Sequence, residues 1–238
     1  MKILALESSA GVASVALCEN RRLLHLVQDD SGNNHSKSLL PMVIGALEKH
    51  RLTVSDIDLF AVSVGPGSYT GVRIGVATVK GLCATGDKPC MAVSSLEALA
   101  YALPLWQGVI CPVIDARRER MYTALFERKD GKIKRLTRDG VLELSELEKL
   151  LRGCGRVTML TGSGCEQAMQ ALKFSGRRAA PDPCRLENAY GVALCAYERY
   201  LESADRAVDS ATLLPVYALK TQAEREREER ERQNGKNT

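Results

Sequence analysis

The segment at residues 63–75, SVGPGSYTGVRIG, limits the possible folds more than any other part of the chain. It overlaps the apolar run LFAVSV at residues 59–64, in which polar and apolar side chains do not alternate. A run of this kind is typical of a parallel strand that is covered on both faces. The Gly65-Pro66-Gly67 turn then ends the strand, and a helix is predicted over residues 68–84. A strand, a glycine turn and a helix in this order predict an α/β fold.

The predicted helix at residues 68–84 has one side with few side-chain atoms, and either Ser68 or Thr70 can cap its amino terminus. The small residues of this side are spaced by four and three positions: Gly71, Gly75 and Thr78. Another helix can therefore approach closely, and the sequence leaves open whether that helix belongs to this chain or to a second one. A Walker-type phosphate loop is excluded, because no Gly-Lys-Ser or Gly-Lys-Thr follows the turn.

Two parts of the chain resemble each other at a constant offset of 108 residues. A triplet of predicted strands within residues 1–27 recurs within residues 109–136, and the alignment places Glu7 on Asp115. An acidic residue at the same strand-to-turn junction in both copies is what a two-lobed nucleotide-binding fold of the actin, hexokinase and Hsp70 type shows. We therefore predict an α/β, two-lobed actin-like (ASKHA, ribonuclease H-like) fold with internal duplication.

The length and composition fit two compact lobes. We expect an amino-terminal lobe with partner-binding helices at residues 1–108, a carboxy-terminal lobe at 109–220 and a charged, disordered tail at 221–238. The sequence has no apolar run long enough for a signal peptide or a membrane span, so a cytoplasmic protein is predicted. Its eight cysteines form no Cys-x-x-Cys pair, which favours reduced, buried thiols over a zinc or redox site.

A second predicted helix, at residues 36–49, carries more apolar surface than the core of one lobe needs. We expect this helix and the helix at 68–84 to form one surface that binds another protein. The residues predicted for this surface are Leu40, Met42, Val43, Ala46, Gly71, Val72, Gly75 and Thr78.

Positive charge is concentrated between Arg117 and Arg138, where nine lysines and arginines stand against three acidic residues. Such a cluster can face phosphate groups. The alternative is a solvated hairpin whose lysines discourage pairing at a sheet edge.

Together these motifs make the chain similar to the TsaB family (also called YeaZ), bacterial proteins needed to form threonylcarbamoyladenosine on tRNA. The resemblance covers Met1 to about Lys220. Its other motifs are Asn34-His35-Ser36, Ser94-Ser95-Leu96-Glu97-Ala98, Asp115-Ala116-Arg117 and Leu214-Pro215-Val216-Tyr217. The most specific motif lies in the segment at residues 63–75 and includes Gly65, Pro66, Gly67, Ser68, Tyr69, Thr70 and Arg73.

The resemblance implies a noncatalytic subunit that activates the catalytic paralogue TsaD and works with the ATPase TsaE. It implies a homodimer when the paralogue is absent, and ATP and metal on the partner subunits rather than on this chain. Contact with tRNA through the complex is expected at Arg128, Lys129 and Lys132. A nucleotide could enter the cleft between the lobes near Glu7, Ser8, Asp115 and Arg117. Glu7 stands where the family usually has aspartate, which weakens the case for nucleotide.

The catalytic paralogue carries a His-x-x-x-His metal pair on the helix that corresponds to residues 95–99. Here Ser95 and Leu99 stand at the two ligand positions, and leucine cannot bind a metal, so no metal site is predicted. Two other functions stay open. A small-molecule kinase of the same fold superfamily would use Glu7, Asp115 and the Gly162-Ser163-Gly164 turn around ATP, whereas a peptidase would rely on isolated serines.

Overall fold

The structure is a computed structural model that describes residues 1–31, 35–103 and 105–218. It contains two β-sheets, of five and seven strands, with helices packed on their faces. Asn34 of the Asn34-His35-Ser36 motif and the predicted tail at 221–238 lie outside the described residues. None of the helices in the described part is long and apolar enough to cross a membrane.

The first sheet has the strand order β3-β2-β1-β4-β5. Its central strand β1 pairs antiparallel with β2 and parallel with β4, so that Leu6 lies opposite both Val15 and Val62. The strands are Lys2–Glu7 (β1), Ala13–Glu19 (β2), Arg22–Asp29 (β3), Leu59–Ser63 (β4) and Cys90–Val93 (β5).

The second sheet follows the order β10-β7-β6-β11-β12, and β8 pairs with β6 and β9. Its strands are Gly108–Asp115 (β6), Arg120–Thr123 (β7), Phe126–Lys129 (β8), Lys132–Arg135 (β9), Gly140–Glu143 (β10), Thr158–Thr161 (β11) and Arg177–Ala179 (β12). The helices are His35–Lys49 (α1), Tyr69–Ala84 (α2), Ser95–Tyr101 (α3), Leu144–Cys154 (α4), Cys165–Ala171 (α5) and Ala189–Glu202 (α6).

The internal duplication is confirmed by the topology of the two sheets. In each, the central strand has an antiparallel neighbour on one side and a parallel neighbour on the other. Glu7 ends β1 and Asp115 ends β6, as the alignment predicted. The second copy differs in one respect, because the counterpart of β2 is divided into β7 and β8, which both pair with β6.

Both faces of the first sheet are covered, which explains its apolar runs without alternation. Leu4 and Leu6 point to one face and pack under α1 and α2. Ile3 and Ala5 point to the other face and pack under α6. Successive strand residues face opposite sides of a sheet, so a strand covered twice must be apolar at every position.

Some helices pack on the other side of the division predicted at residue 108. Helix α6 comes from the second half of the chain, yet it packs on the first sheet, and α3 contacts both α6 and β6. The predicted boundary therefore separates the two sheets but not the helices that cover them.

An ion cluster ties α3 and α6 to the second sheet. Glu97 Oε2 accepts hydrogen bonds of 2.6 Å from both Arg199 and Arg135, and Arg135 also pairs with Asp139. Burial opposes ionisation, but the two guanidinium groups outweigh it and hold the pKa of the Glu97 carboxyl below its ordinary value. The Glu97 N–H donates to Ser94 Oγ at 3.3 Å, as at a capped helix start, whereas the Glu97 carboxylate binds the arginines.

Candidate functional site

The glycine side of α2 faces the loop that follows β1. A Cβ added to Gly71 would overlap the carbonyl oxygen of Ser8, and one added to Gly75 would lie 2.5 Å from Ser8 Oγ. Ser8 Oγ also donates a 2.9 Å hydrogen bond to the Gly71 carbonyl. The close crossing left open by the sequence is therefore internal, and the prediction that Gly71 and Gly75 belong to a partner surface is wrong.

The loop after β1 packs against the amino terminus of α2. The N–H of Ser68 donates a 2.6 Å hydrogen bond to the carbonyl of Ser9, and a Cβ on Gly67 would overlap that same oxygen. Ser68 Oγ accepts from the Gly71 N–H at 3.2 Å, which confirms Ser68 as the predicted cap. The GPGS turn is thus built to receive the loop at residues 8–11.

The Glu7 side chain links the carboxyl ends of strands β1 and β4 in the first sheet. Its Oε1 accepts hydrogen bonds from the Ser9 N–H at 2.6 Å and from Ser63 Oγ at 2.8 Å. Glu7 and Ser8 are fully buried, so neither presents an atom to the cleft, contrary to the prediction. Burial raises the pKa of the Glu7 carboxyl, although hydrogen bonds from Ser9 and Ser63 oppose the shift.

A second buried carboxylate fills the glycine turn of the other lobe. Glu187 Oε1 accepts from the Ser163 N–H at 3.0 Å and from Ser163 Oγ at 2.9 Å. Only 2% of Glu187 is exposed, and burial, together with the charge of Glu7, raises its pKa. The turn that a kinase would offer to ATP is therefore occupied by the chain's own anion. No local pattern marks Glu187, since it lies 24 residues from its partner.

We predict that Glu7→Gln stabilises the protein at alkaline pH. A carboxyl whose folded-state pKa is raised contributes stability below its unfolded pKa, near 4.5, and loses it as pH rises through the folded value. The amide keeps an acceptor for Ser9 and Ser63 but carries no charge, so the stability of the variant relative to the wild type should be highest at pH 8 and fall towards pH 4.5. Urea unfolding across this range measures it, with Glu48→Gln, at an exposed carboxylate, as the control. A deficit that is equal at every pH would contradict the prediction.

The two other predicted cleft residues, Asp115 and Arg117, are exposed. The N–H of Arg117 donates a 2.7 Å hydrogen bond to Asp115 Oδ1. Of the four residues assigned to a nucleotide, only these two, at the edge of the second lobe, are therefore accessible to a ligand.

The predicted surface on α1 and α2 divides into an inner and an outer part. Val43, Ala46 and Val72 are buried between these helices and the first sheet, so their assignment to a partner surface is wrong. Met42 and Thr78 are half-buried. Both helices pack their inner sides on the same sheet face, and their outer sides therefore share one surface. We call it the outer helical face; its exposed members include Leu40, Ile44, Gly45, Tyr69, Ala77 and Gly81.

The outer helical face is apolar at Leu40 and Ile44 of α1 and nearly flat at Ala77 and Gly81 of α2. Leu40 and Ile44 are 46% and 47% exposed. A Cβ on Gly45 or Gly81 would meet nothing within 4 Å. Protruding side chains beside a flat, small-residue strip form a surface that a second helix pair can fit.

The carboxy-terminal segment extends this face along α2. Residues 213–217 form no regular strand, but the N–H of Val216 donates to the Val64 carbonyl at 2.7 Å. Tyr217 stacks on Tyr69 with ring centroids 4.8 Å apart, and Arg73 donates to Tyr69 Oη at 2.8 Å. The segment adds two exposed apolar side chains, Leu214 and Val216.

The three residues predicted to contact tRNA separate. Arg128 is buried, and its guanidinium donates to the carbonyls of Ala100 and Tyr101 at the end of α3, so its assignment to tRNA is wrong. Lys129 and Lys132 are exposed at the turn between β8 and β9.

Comparison with known proteins identifies the family. The profile described as "TsaD: tRNA N6-adenosine threonylcarbamoyltransferase" matches residues 27–230. The tRNA threonylcarbamoyladenosine biosynthesis protein TsaB of Bacillus subtilis is 31% identical over 94% of this chain and 96% of its own length. The chain belongs to the TsaB family.

Solved structures agree with the actin-like fold. A Pseudomonas aeruginosa protein described as uncharacterized, with similarity to the peptidase YeaZ, superposes with a TM-score of 0.77 at 24% identity. The alignment covers 92% of this chain and 99% of that one. A ROK hexokinase from Thermus thermophilus reaches a TM-score of 0.50 at 13% identity over 85% of this chain and all of that one. The predicted two-lobed fold is confirmed in this TsaB-family chain.

Proposed function

We propose that this chain is a noncatalytic activating subunit in the synthesis of threonylcarbamoyladenosine on tRNA. Its relative from Bacillus subtilis carries that biosynthesis in its name, and the matching profile is that of the transferase. In this proposal the chain acts in the cytoplasm, holds no cofactor itself, and works with a TsaD-type catalytic paralogue and a TsaE-type ATPase that bring the metal and ATP.

The noncatalytic role is supported by one observation: in both lobes, the chain's own oxygen atoms already accept hydrogen bonds from backbone N–H groups at the glycine turns. The Ser9 carbonyl accepts a hydrogen bond from the N–H of Ser68 at the start of α2, and the carboxylate of Glu187 accepts one from the N–H of Ser163. An actin-like kinase would leave such N–H groups to phosphate oxygens. A kinase would have to displace these buried contacts before ATP could enter.

The peptidase alternative has no support in the serines of the first lobe. Ser8 Oγ donates to the Gly71 carbonyl and Ser63 Oγ donates to Glu7, and both residues are fully buried. A nucleophilic serine needs a general base as its partner and access to substrate. Neither hydroxyl meets that requirement.

The outer helical face is the proposed docking surface for the TsaD-type paralogue. Because the paralogue's profile matches most of this chain, the partner can present an equivalent pair of helices, and the two faces can pair about a pseudo-twofold axis. The same geometry allows a homodimer when the paralogue is absent.

Reconstitution tests the proposal. We expect the TsaD-type and TsaE-type proteins of the same organism, given tRNA, ATP, threonine and bicarbonate with a separate enzyme that makes threonylcarbamoyl-adenylate, to form modified tRNA only when this chain is added. The chain alone should form no modified tRNA and consume no ATP. Equal product without the chain would refute an activating role, and ATP consumption by the chain alone would favour the kinase.

A further inference from the structure

The loop between β6 and β7 holds three consecutive residues in left-handed backbone. The φ angles of Arg117, Arg118 and Glu119 are +62°, +54° and +56°. This conformation is unfavourable for every residue with a Cβ, and it normally occurs singly. All three residues are exposed, so burial of their side chains does not offset the strain. Strained backbone of this kind is concentrated at ligand-binding and active sites.

Four hydrogen bonds from backbone N–H groups maintain the turn, one of them from Ala116 to the Arg120 carbonyl at 2.9 Å. Besides the bond from Arg117 to Asp115 Oδ1, the N–H of Arg120 donates to the Arg117 carbonyl at 3.3 Å. The N–H of Leu144 donates to the Glu119 carbonyl at 3.2 Å. The loop is therefore anchored to the strand before it and to the start of α4.

Several other donors of this loop have no acceptor among the described residues. Neither the N–H groups of Arg118 and Glu119 nor the guanidinium groups of Arg117 and Arg118 form a hydrogen bond or ion pair there, and Arg120 Nε is buried without a partner. Other arginines of the described part do pair with carboxylates: Arg21, Arg135, Arg152, Arg156, Arg185, Arg199 and Arg206.

The loop lies at the cleft end of the second sheet. It follows Asp115, whereas the turn with Lys129 and Lys132 lies beyond Arg128, which pairs with Gly108 at the other end of β6. Seven residues of strand separate these ends, a distance of roughly 23 Å at 3.3 Å per residue. The exposed lysines and the unpaired arginines therefore cannot serve the same phosphate group.

We propose that the loop at residues 116–120 binds phosphate groups of an RNA backbone. Successive backbone N–H groups and arginine side chains are the donors that recognise phosphate. The carboxylates of Asp115 and Glu119 reduce the net charge of the loop, so we expect it to contribute to the binding of a long polyanion rather than to retain a single phosphate ion. Glu187 fills the adjoining glycine turn and accepts the Ser163 N–H, so that N–H is not available to a nucleotide phosphate. The choice of RNA rests on the proposed function.

Glycine substitutions separate a binding role from a structural one. Arg117→Gly and Arg118→Gly each remove a charge, and they also relieve the left-handed strain, so a purely structural loop would gain stability and keep its RNA affinity. Arg51→Gly is the matched control, since Arg51 is an exposed arginine with φ of +54° beyond α1 in the first lobe.

Binding of tRNA is measured by fluorescence anisotropy as a function of salt, with the chain alone and with its TsaD-type partner. The double variant R117G/R118G should bind about tenfold more weakly at low salt, and each substitution should reduce the slope of log affinity against log salt by about 1. Arg51→Gly should match the wild type. Millimolar inorganic phosphate should compete no better than chloride of equal ionic strength.

Several outcomes would overturn the proposal. These are unchanged tRNA affinity and slope in the double variant, no measurable tRNA binding by the wild type in either setting, or saturable ATP binding that the double variant loses. Co-elution with the partner is measured on the same proteins. Loss of co-elution in the double variant would assign the loop to the partner instead of RNA, whereas loop-dependent RNA binding by a wild type that never co-elutes would refute only the proposed partnership.

Discussion

Gly71→Ala is expected to reduce the free energy of unfolding by about 3 kcal/mol or more. The new methyl group would lie only 2.0 Å from the Ser8 carbonyl oxygen, which is backbone and cannot rotate away. Relief requires α2 to move from β1 or the loop at residues 8–11 to leave the start of the helix. Either movement breaks the hydrogen bonds from Ser8 Oγ and the Ser68 N–H that join loop and helix.

The matched control is Gly81→Ala in the same helix. A Cβ there would meet nothing within 4 Å, so alanine should raise stability by about 0.5–1 kcal/mol through helix propensity alone. Urea denaturation of the two variants gives the comparison. A Gly71→Ala protein as stable as the Gly81→Ala protein would mean that α2 does not lie against the loop as the structure has it.

The fold could be predicted because its signals are local. The uninterrupted apolar run at 59–64 reports a strand with two covered faces, whatever covers them. The repeated acid at Glu7 and Asp115 reports the duplication without any knowledge of tertiary contacts. Helix α2 and its Ser68 cap follow from the same few residues that form them.

The direction in which the glycines face could not be predicted. Helical spacing shows that Gly71 and Gly75 share one side of α2, but not what lies against that side. The answer is Ser8, which is 63 residues away from Gly71 in the sequence. The same limit applies to α1, where periodicity gave one broad apolar surface and only the position of the sheet separates buried Val43 from exposed Ile44.

Arg128 shows a signal that the sequence did contain. Residues two apart in a strand share a face, and the large apolar Phe126 precedes Arg128 by two. Both are buried, whereas Lys129 is exposed. Counting positive charge along the segment 117–138 ignored this alternation, and it combined an inward-facing arginine with outward-facing lysines.

Ile44→Arg is expected to lower affinity for the TsaD-type partner by roughly 30-fold to several-hundred-fold, equivalent to about 2–4 kcal/mol at a central interface position. The fold should be unaffected, since the side chain is 47% exposed and surface changes usually stay within about 0.5 kcal/mol. In the complex, the substitution would place a charge between apolar helix faces and remove the contacts of the isoleucine. Ala77→Arg, on α2 across the same face, should have a similar effect.

Leu201→Arg provides the matched control for this prediction. Leu201 is 61% exposed at the end of α6, which covers the opposite side of the first sheet. It tests whether a new arginine on any exposed helix position disturbs the protein. Partner affinity by titration calorimetry and self-association by sedimentation should both be unchanged in this variant, and modified tRNA should form at the wild-type rate.

Ile44→Arg should abolish self-association and partner binding together, because both are proposed to use the outer helical face. A single face that serves both purposes cannot bind a second copy and the paralogue at once, so excess partner should dissociate the wild-type homodimer into heterodimers. A variant that loses the homodimer yet binds the partner at wild-type affinity would show that the two assemblies use different surfaces. The outer helical face would then belong to the homodimer alone, and the partner site would have to lie elsewhere on the chain.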